Sequence, residues 1–187
     1  MLTPYLGYYD QYIYLAPKPE FSDLPAGGQI FQYTQNDALF LGFELNFEYE
    51  FVEHFTFNTA TEYVWNKNLD TSLPLPFTPP FSIYGEVEYG KNVKDSWVRY
   101  FAVGVNYHFF AAQNRVDRNE RPTEGYSLVS ISGGFDFKMR NQTAQFRLSV
   151  NNLLDKAYMN HLSRYRLLNL PEQGRNIIIA LSMPFEL

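Results

Sequence analysis

The stretch LFLGFELNFEYEF, residues 39–51, places an apolar side chain at every second position. The positions between them hold mainly glycine, asparagine and glutamate. Because successive side chains of a β-strand point to opposite faces, this pattern predicts a strand with one apolar and one polar face. A short turn at Val52 leads into a second alternating run, residues 55–67, so the two runs together predict a β-hairpin.

The same alternation recurs along the rest of the chain. It predicts six further strands, at residues 5–15, 81–89, 97–109, 126–139, 144–151 and 176–187. Pro17 and Pro19 are expected to end the first of these, because proline cannot donate to a strand ladder. Short turns alternate with long loops between the strands. The sequence therefore predicts an all-β fold, an antiparallel meander of eight strands with short turns at one end.

Composition excludes several classes of protein. The 187 residues contain no cysteine, which removes disulfides and cysteine-based metal sites. Fifteen basic against twenty acidic residues give a net charge of −5, which argues against a nucleic-acid partner. No apolar run is long enough for a membrane-spanning helix, and no secretory signal follows Met1.

The alternation fits a soluble barrel or a membrane barrel, and three features favour the membrane barrel. The apolar faces carry almost no charge over the length needed to cross hydrocarbon. Aromatic residues make up 18% of the chain and recur near strand ends, as in interfacial girdles. The polar faces collect six carboxylates: Glu44, Glu48, Glu62, Glu86, Glu88 and Asp136. We therefore expect Phe43, Phe57, Phe135 and Ile179 to face lipid, and the carboxylates to face a wet lumen.

Four short motifs resemble those of TonB-dependent outer-membrane receptors. Residues 152–158, NLLDKAY, are similar to the family's NLFDKxY segment, and residues 174–176, GRN, to the segment that opens its closing strand. Residues 75–80, LPFTPP, and 120–126, ERPTEGY, resemble two openings of earlier strands. The family usually ends on an aromatic residue, whereas this chain ends on Leu187 with Phe185 two positions before it.

The resemblance implies that residues 1–187 are the C-terminal segment of a transmembrane β-barrel of twenty-two strands, without its plug domain. It implies a location in the bacterial outer membrane and uptake of a scarce nutrient, such as a ferric siderophore, haem or another metal complex. The implied partners are the plug, the other barrel strands, the TonB complex, and outer-membrane lipid and lipopolysaccharide. No cofactor is implied. The wall carboxylates would pair with basic residues of the plug or guide cations.

A stand-alone eight-stranded barrel with a structural or adhesive role is the alternative. An enzyme is not expected, because the sequence contains no catalytic motif. Ser163 lies near His161, but neither a nucleophile elbow nor a placed acid accompanies them.

The candidate ligand-binding residues lie in two long loops. Residues 155–175 carry a charge of +2, and residues 113–125 add three arginines balanced by three acids. Because the arginine fork donates two hydrogen bonds to anionic oxygens, these loops predict capture of an anionic metal complex. The predicted residues are Arg115, Arg164 and Arg166, with His161 and Tyr165 nearby. Binding of lipopolysaccharide phosphates or of loop carboxylates is the equal alternative.

Two histidines are candidate metal ligands. His108 lies on the predicted lumen face and His161 in the last loop, so together they could hold a metal or haem iron. The alternative is that both are ordinary polar residues at a wet rim.

Overall fold

Eight antiparallel strands in one sheet make up most of the computed structural model, which describes residues 1–23, 28–94, 96–139 and 142–183. Each strand pairs with its neighbours in the sequence, so the predicted all-β meander is confirmed. The strands are β1 Leu2–Phe21, β2 Gln29–Val52, β3 Phe55–Asn68, β4 Ser82–Asn92, β5 Val98–Phe110, β6 Tyr126–Met139, β7 Gln142–Asn151 and β8 Asn176–Ser182.

The first two strands are longer than the sequence predicted. Residue Pro17 pairs with Phe31, and β1 continues past Pro19 to Phe21. The expectation that these prolines end the strand was therefore wrong. In the described sheet β1 is an edge, where a missing N–H group costs no ladder hydrogen bond.

The two faces of the sheet differ as the alternation predicts. Register places Phe43 opposite Tyr63, whereas Glu44 lies opposite Glu62 on the other face. Many apolar side chains of the first face are exposed, among them Leu41, Val87, Val103, Val105, Ile131, Leu148 and Ile179. Such an extended exposed apolar band is typical of a surface that contacts lipid or another protein.

The sheet is open in the described residues. Strand β1 pairs only with β2, and β8 only with β7, so the eight strands do not close on each other there. This arrangement does not support the stand-alone eight-stranded barrel. The C-terminal residues Phe185 and Leu187 lie outside the described residues.

The two ends of the sheet are unlike. The connections after β2, β4 and β6 are short, whereas those after β3, β5 and β7 are long. We name the long connections L1 (residues 69–81), L2 (residues 111–125) and L3 (residues 152–175). L3 contains a 3-10 turn, Arg164–Leu168. No helix among the described residues is long and apolar enough to cross a membrane.

The core lies at the end that carries the loops. Most of the buried polar residues lie in the three loops or in the strand ends beside them: Asn66, Asn68, Thr78, Ser82, Gln113, Glu120, Asn152, His161 and Arg166. A buried polar group is costly unless it is hydrogen-bonded, so their partners define how the loops are held.

Candidate functional site

A buried carboxylate connects the three loops. Glu120 of L2 accepts hydrogen bonds on Oε1 from the guanidinium of Arg166 at 2.6 Å and from the backbone N–H of Phe77 at 2.9 Å. Nε2 of His161 lies 3.2 Å from the same oxygen, although without hydrogen-bond geometry. The side chains of Glu120, Arg166 and His161 are 2%, 3% and 1% exposed. We call these three residues the Glu120 cluster.

Electrostatics keep this carboxylate ionised. Burial alone would raise the pKa of Glu120, but His161, the Phe77 N–H and Arg166 outweigh it and hold the pKa below its usual value. Arg166 also donates to the backbone oxygen of Arg121 at 2.9 Å. The cluster is therefore a buried group of paired charges between L2 and L3, and most of its polar atoms are hydrogen-bonded.

Two phenylalanines extend the cluster towards β2. The guanidinium of Arg166 lies 5.4 Å from the ring centre of Phe77, and that of Arg164 lies 6.0 Å from the ring centre of Phe31. The two rings are 5.9 Å apart. Arg164 thus lies against one ring of this pair and Arg166 against the other, and the two cation–π contacts tie L3 to β2 and L1.

The NLLDK and GR motifs contact each other. The side chain of Asn152 accepts from the Lys156 N–H at 2.8 Å and donates to the Lys156 oxygen, which closes a tight turn. Oδ1 of Asp155 accepts from the N–H of Arg175 at 2.8 Å. A Cβ at Gly174 would lie only 2.6 Å from that oxygen, so a larger residue there would displace the Asp155 carboxylate. The motifs are therefore the two halves of one structural unit of L3.

The LPFTPP motif of L1 is held by L2. Nε2 of Gln113 donates to the backbone oxygen of Thr78 at 3.0 Å, and the hydroxyl of Thr78 accepts from Asn66 at 2.7 Å. Gln113 pairs with Thr123 through two backbone hydrogen bonds at the base of L2. These contacts fix the positions of L1 and L2 above the ends of their strands.

A cleft of about 380 Å³ lies between L2 and L3. Its cations are Arg121, Lys156 and Arg166, of which Arg121 and Lys156 are exposed. Its aromatic floor is formed by Tyr126 and Tyr158, whose ring centres are 4.4 Å apart. Burial and the Glu172 carboxylate raise the pKa of Tyr158, so its phenol stays protonated at neutral pH and can donate a hydrogen bond.

The predicted ligand-binding residues do not share one surface. Arg166 and His161 meet at Glu120 and are buried, whereas Arg164 and Tyr165 are exposed beside them. Arg115 lies elsewhere, with its guanidinium 4.9 Å from the ring centre of Trp65. Of the predicted set, Arg164 and Tyr165 are the exposed residues.

The two histidines have separate surroundings. The ring of His108 lies against that of Phe110, with the ring centres 4.0 Å apart, while Nδ1 of His161 shares a hydrogen bond with the Thr123 hydroxyl at 2.9 Å. Within the described ranges, no group of three or more His, Cys, Asp or Glu side chains is arranged to hold a metal. Both ring nitrogens of His161 lie against protein atoms, and the joint site with His108 stays a prediction.

Sequence reasoning missed three residues of the site. Glu120 was counted only in the charge balance of L2, and Arg121 and Lys156 were not singled out as cleft cations. All three lie inside the family-like motifs ERPTEGY and NLLDKAY, so the motifs were the signal. Their contacts depend on L2 and L3 meeting in space.

Comparison with known proteins gives a family match and a structural likeness. The family model for a TonB-dependent receptor-like β-barrel matches residues 2–153. A solved structure described as the copper transporter OprC aligns with a TM-score of 0.74 at 22% identity, over 94% of this chain and 27% of that chain. The chain therefore spans about a quarter of that protein's length, and the likeness shows a shared fold. No curated protein sequence matches.

Proposed function

The chain belongs to the TonB-dependent receptor-like β-barrel family, and we propose that it forms eight consecutive wall strands and three outer loops of an outer-membrane nutrient receptor. Members of this family are transporters located in the outer membrane of Gram-negative bacteria. The proposed receptor performs no chemistry on its substrate and uses energy delivered through TonB.

The two faces of the sheet support this orientation. The apolar band would lie in outer-membrane lipid, with L1, L2 and L3 at the cell surface. The carboxylate face would line the lumen. There Asp136 already pairs with Arg147 at 2.6 Å, whereas Glu44, Glu48, Glu62 and Glu86 have no ion-pair partner in the described part of the chain. Basic groups of a plug domain, or cations in transit, would neutralise them.

The substrate class we propose is an anionic metal complex, such as a ferric siderophore, haem or a copper chelate. A structural neighbour is described as a copper transporter, which supports metal uptake as the general role. The observation that carries the proposal is the cleft between L2 and L3. Its exposed Arg121 and Lys156 would bind the anionic groups of the complex, and its Tyr126–Tyr158 floor would stack on the flat parts of the chelator.

The rigidity of the loops supports the same conclusion. The Glu120 cluster connects L2 to L3 through the ion pair of Glu120 with Arg166, and Arg166 also lines the cleft. A binding surface that is already ordered loses less conformational entropy when its ligand arrives. Arg164 and Tyr165, exposed on the 3-10 turn, would extend the site at its rim.

The test uses the complete receptor carrying Arg121→Ala and Lys156→Ala together. Losing two charge-assisted contacts should weaken ligand binding by about tenfold or more. The measurement is the affinity for a panel of ferric catecholate, ferric citrate, haem and copper chelates, followed by uptake of the best binder.

The matched control is Arg118→Ala, an exposed arginine of the same loop that does not line the cleft. A separate Arg164→Ala variant tests the rim. Equal affinities of the double variant and the unmodified receptor for every bound chelate, at normal surface levels, would contradict the proposed site.

A further inference from the structure

Arg115 lies on the apolar face of the sheet, at the level of the loops. Its guanidinium donates to the backbone oxygen of Asn66 at 3.0 Å and lies 4.9 Å from the ring centre of Trp65. Trp65 is opposite Leu41 in the register and follows Tyr63 on the same face of β3. Arg115 is therefore held at the loop end of the apolar wall.

The charge of Arg115 has no protein counter-ion within residues 1–23, 28–94, 96–139 and 142–183. The ion pairs in those ranges involve other residues. A guanidinium carries five N–H groups, and the Asn66 oxygen uses one. The remaining donors are oriented by the indole and are free to bind an anion.

Lys67 provides a second cation on the same face. It lies two residues beyond Trp65, about 7 Å along the strand, and opposite Leu39. It is half-buried and has no carboxylate within ion-pair distance in the described residues. Arg115 and Lys67 are thus two cations on the face of the wall that carries Trp65, and neither has an ion-pair partner in the described residues.

An amphipathic groove begins directly beside Arg115. It has a volume of about 180 Å³, and its walls include Tyr63, Phe81, Ala111 and Arg115. The rings of Tyr63 and Phe81 are 6.3 Å apart and belong to the apolar wall. Such a groove matches a ligand with an apolar chain and an anionic head, and it lies on the face opposite the lumen carboxylates.

Resting on the membrane orientation proposed above, we propose that Arg115 and Lys67 bind a phosphate group of lipopolysaccharide in the outer leaflet. The head-group phosphate would take the free guanidinium donors, and an acyl chain would follow the groove between Tyr63 and Phe81. The indole of Trp65 would lie at the polar–apolar boundary, where tryptophan is enriched in membrane proteins. Arg115 is then a lipid-binding residue and no part of the nutrient site.

The experiment measures lipid binding to the complete receptor by native mass spectrometry. The probes are diphosphorylated lipid A, dephosphorylated lipid A and phosphatidylglycerol. In the Arg115→Ala/Lys67→Gln variant, affinity for diphosphorylated lipid A should fall by about tenfold or more, as expected for two charge-assisted contacts. Arg118→Ala, which removes an exposed arginine of the same loop, should leave it unchanged.

A second variant separates binding from folding. Lys67 makes no side-chain hydrogen bond in the described residues, so Lys67→Gln alone should keep L2 in place and still weaken lipid A binding. Equal lipid A affinity in all variants would overturn the proposal. So would equal binding of dephosphorylated lipid A, or of phosphatidylglycerol, to the unmodified receptor.

The same variants also distinguish this site from the nutrient site. Affinity for the metal chelates should be unchanged in Arg115→Ala/Lys67→Gln. Loss of chelate binding with normal lipid A binding would assign Arg115 to ligand capture and refute the lipid site. If the Arg121→Ala/Lys156→Ala variant binds chelates as the unmodified receptor does, the lipid A result still holds. Lipid A binding depends only on the outer face of the wall.

Discussion

Glu120 is the residue on which the loop structure depends most. Its carboxylate accepts hydrogen bonds from the guanidinium of Arg166 and from a backbone N–H of L1, and it lies against the imidazole of His161. Removing one partner of a buried ion pair leaves the other charge uncompensated, which costs about 3–5 kcal/mol. Because the cluster lies between loops, we expect this cost to appear as local opening.

Glu120→Gln should therefore release L2 and L3 and leave the strands intact. The measurement is amide hydrogen exchange of the complete receptor, in which residues 111–125 and 152–175 should exchange faster than in the unmodified protein. Glu124→Gln is the control, because Glu124 is an exposed carboxylate of the same loop. Unchanged protection of both loops in Glu120→Gln would show that the cluster does not hold them.

The cluster also predicts a pH dependence. The folded-state pKa of Glu120 lies below the ordinary value of 4.5, so its contribution to stability is present above that value. The contribution is lost as the pH falls through the lower folded-state pKa. Loop protection in the unmodified receptor should therefore decrease on acidification below about pH 4.5, whereas Glu120→Gln should show little change over that range.

At the residue scale, the sequence identified residues of the loop region, but it did not predict which partners their side chains contact. Arg166 and His161 were expected to face a ligand, yet both are buried against a carboxylate more than forty positions away. Charge counting along a loop cannot show which cations are already neutralised. The family-like motifs located Glu120, Asp155 and Gly174, although their contacts became visible only in the structure.

At the scale of the strand, alternation was the dominant signal. It predicted all eight strands, because one face must be apolar along its whole length for the register to be defined. It failed at the far end of β1 and the start of β2, where residues 16–21 and 29–38 do not alternate cleanly. Backbone pairing at the edge of the sheet holds those segments, and pairing depends little on side-chain pattern.

The two faces of the strands lead to a further prediction. Val105, in the middle of β5, is exposed on the apolar face, whereas the next residue, Asn106, lies on the polar face. Val105→Arg should cost about 2–4 kcal/mol at mid-depth of the bilayer. Asn106→Arg should be mild. The free energy of unfolding in lipid vesicles, followed by tryptophan fluorescence, checks both, and equal costs would refute the assignment of faces.

At the scale of the whole molecule, the open sheet is the main feature. Strands β1 and β8 lie at opposite edges, and an unpaired edge is not tolerated in hydrocarbon. The 187-residue chain expressed alone should therefore fail to insert as a stable monomer, whereas the complete receptor should insert. Heat-modifiable electrophoresis after refolding into vesicles is the measurement. A heat-resistant monomeric band from the isolated chain would favour the stand-alone barrel.

The order of the strands has a consequence for how such walls evolve. Because every strand pairs only with its neighbours in the sequence, duplication or loss of a hairpin leaves all other pairings unchanged. A lineage can therefore change the circumference of its barrel in steps of two strands without inventing new partners. At the loop end, gain or loss of a hairpin is more restricted, because the Glu120 carboxylate joins L1, L2 and L3 across two hairpins. Among relatives, we therefore expect inserted or deleted hairpins to be rarer between β3 and β8 than in the part of the wall before β3.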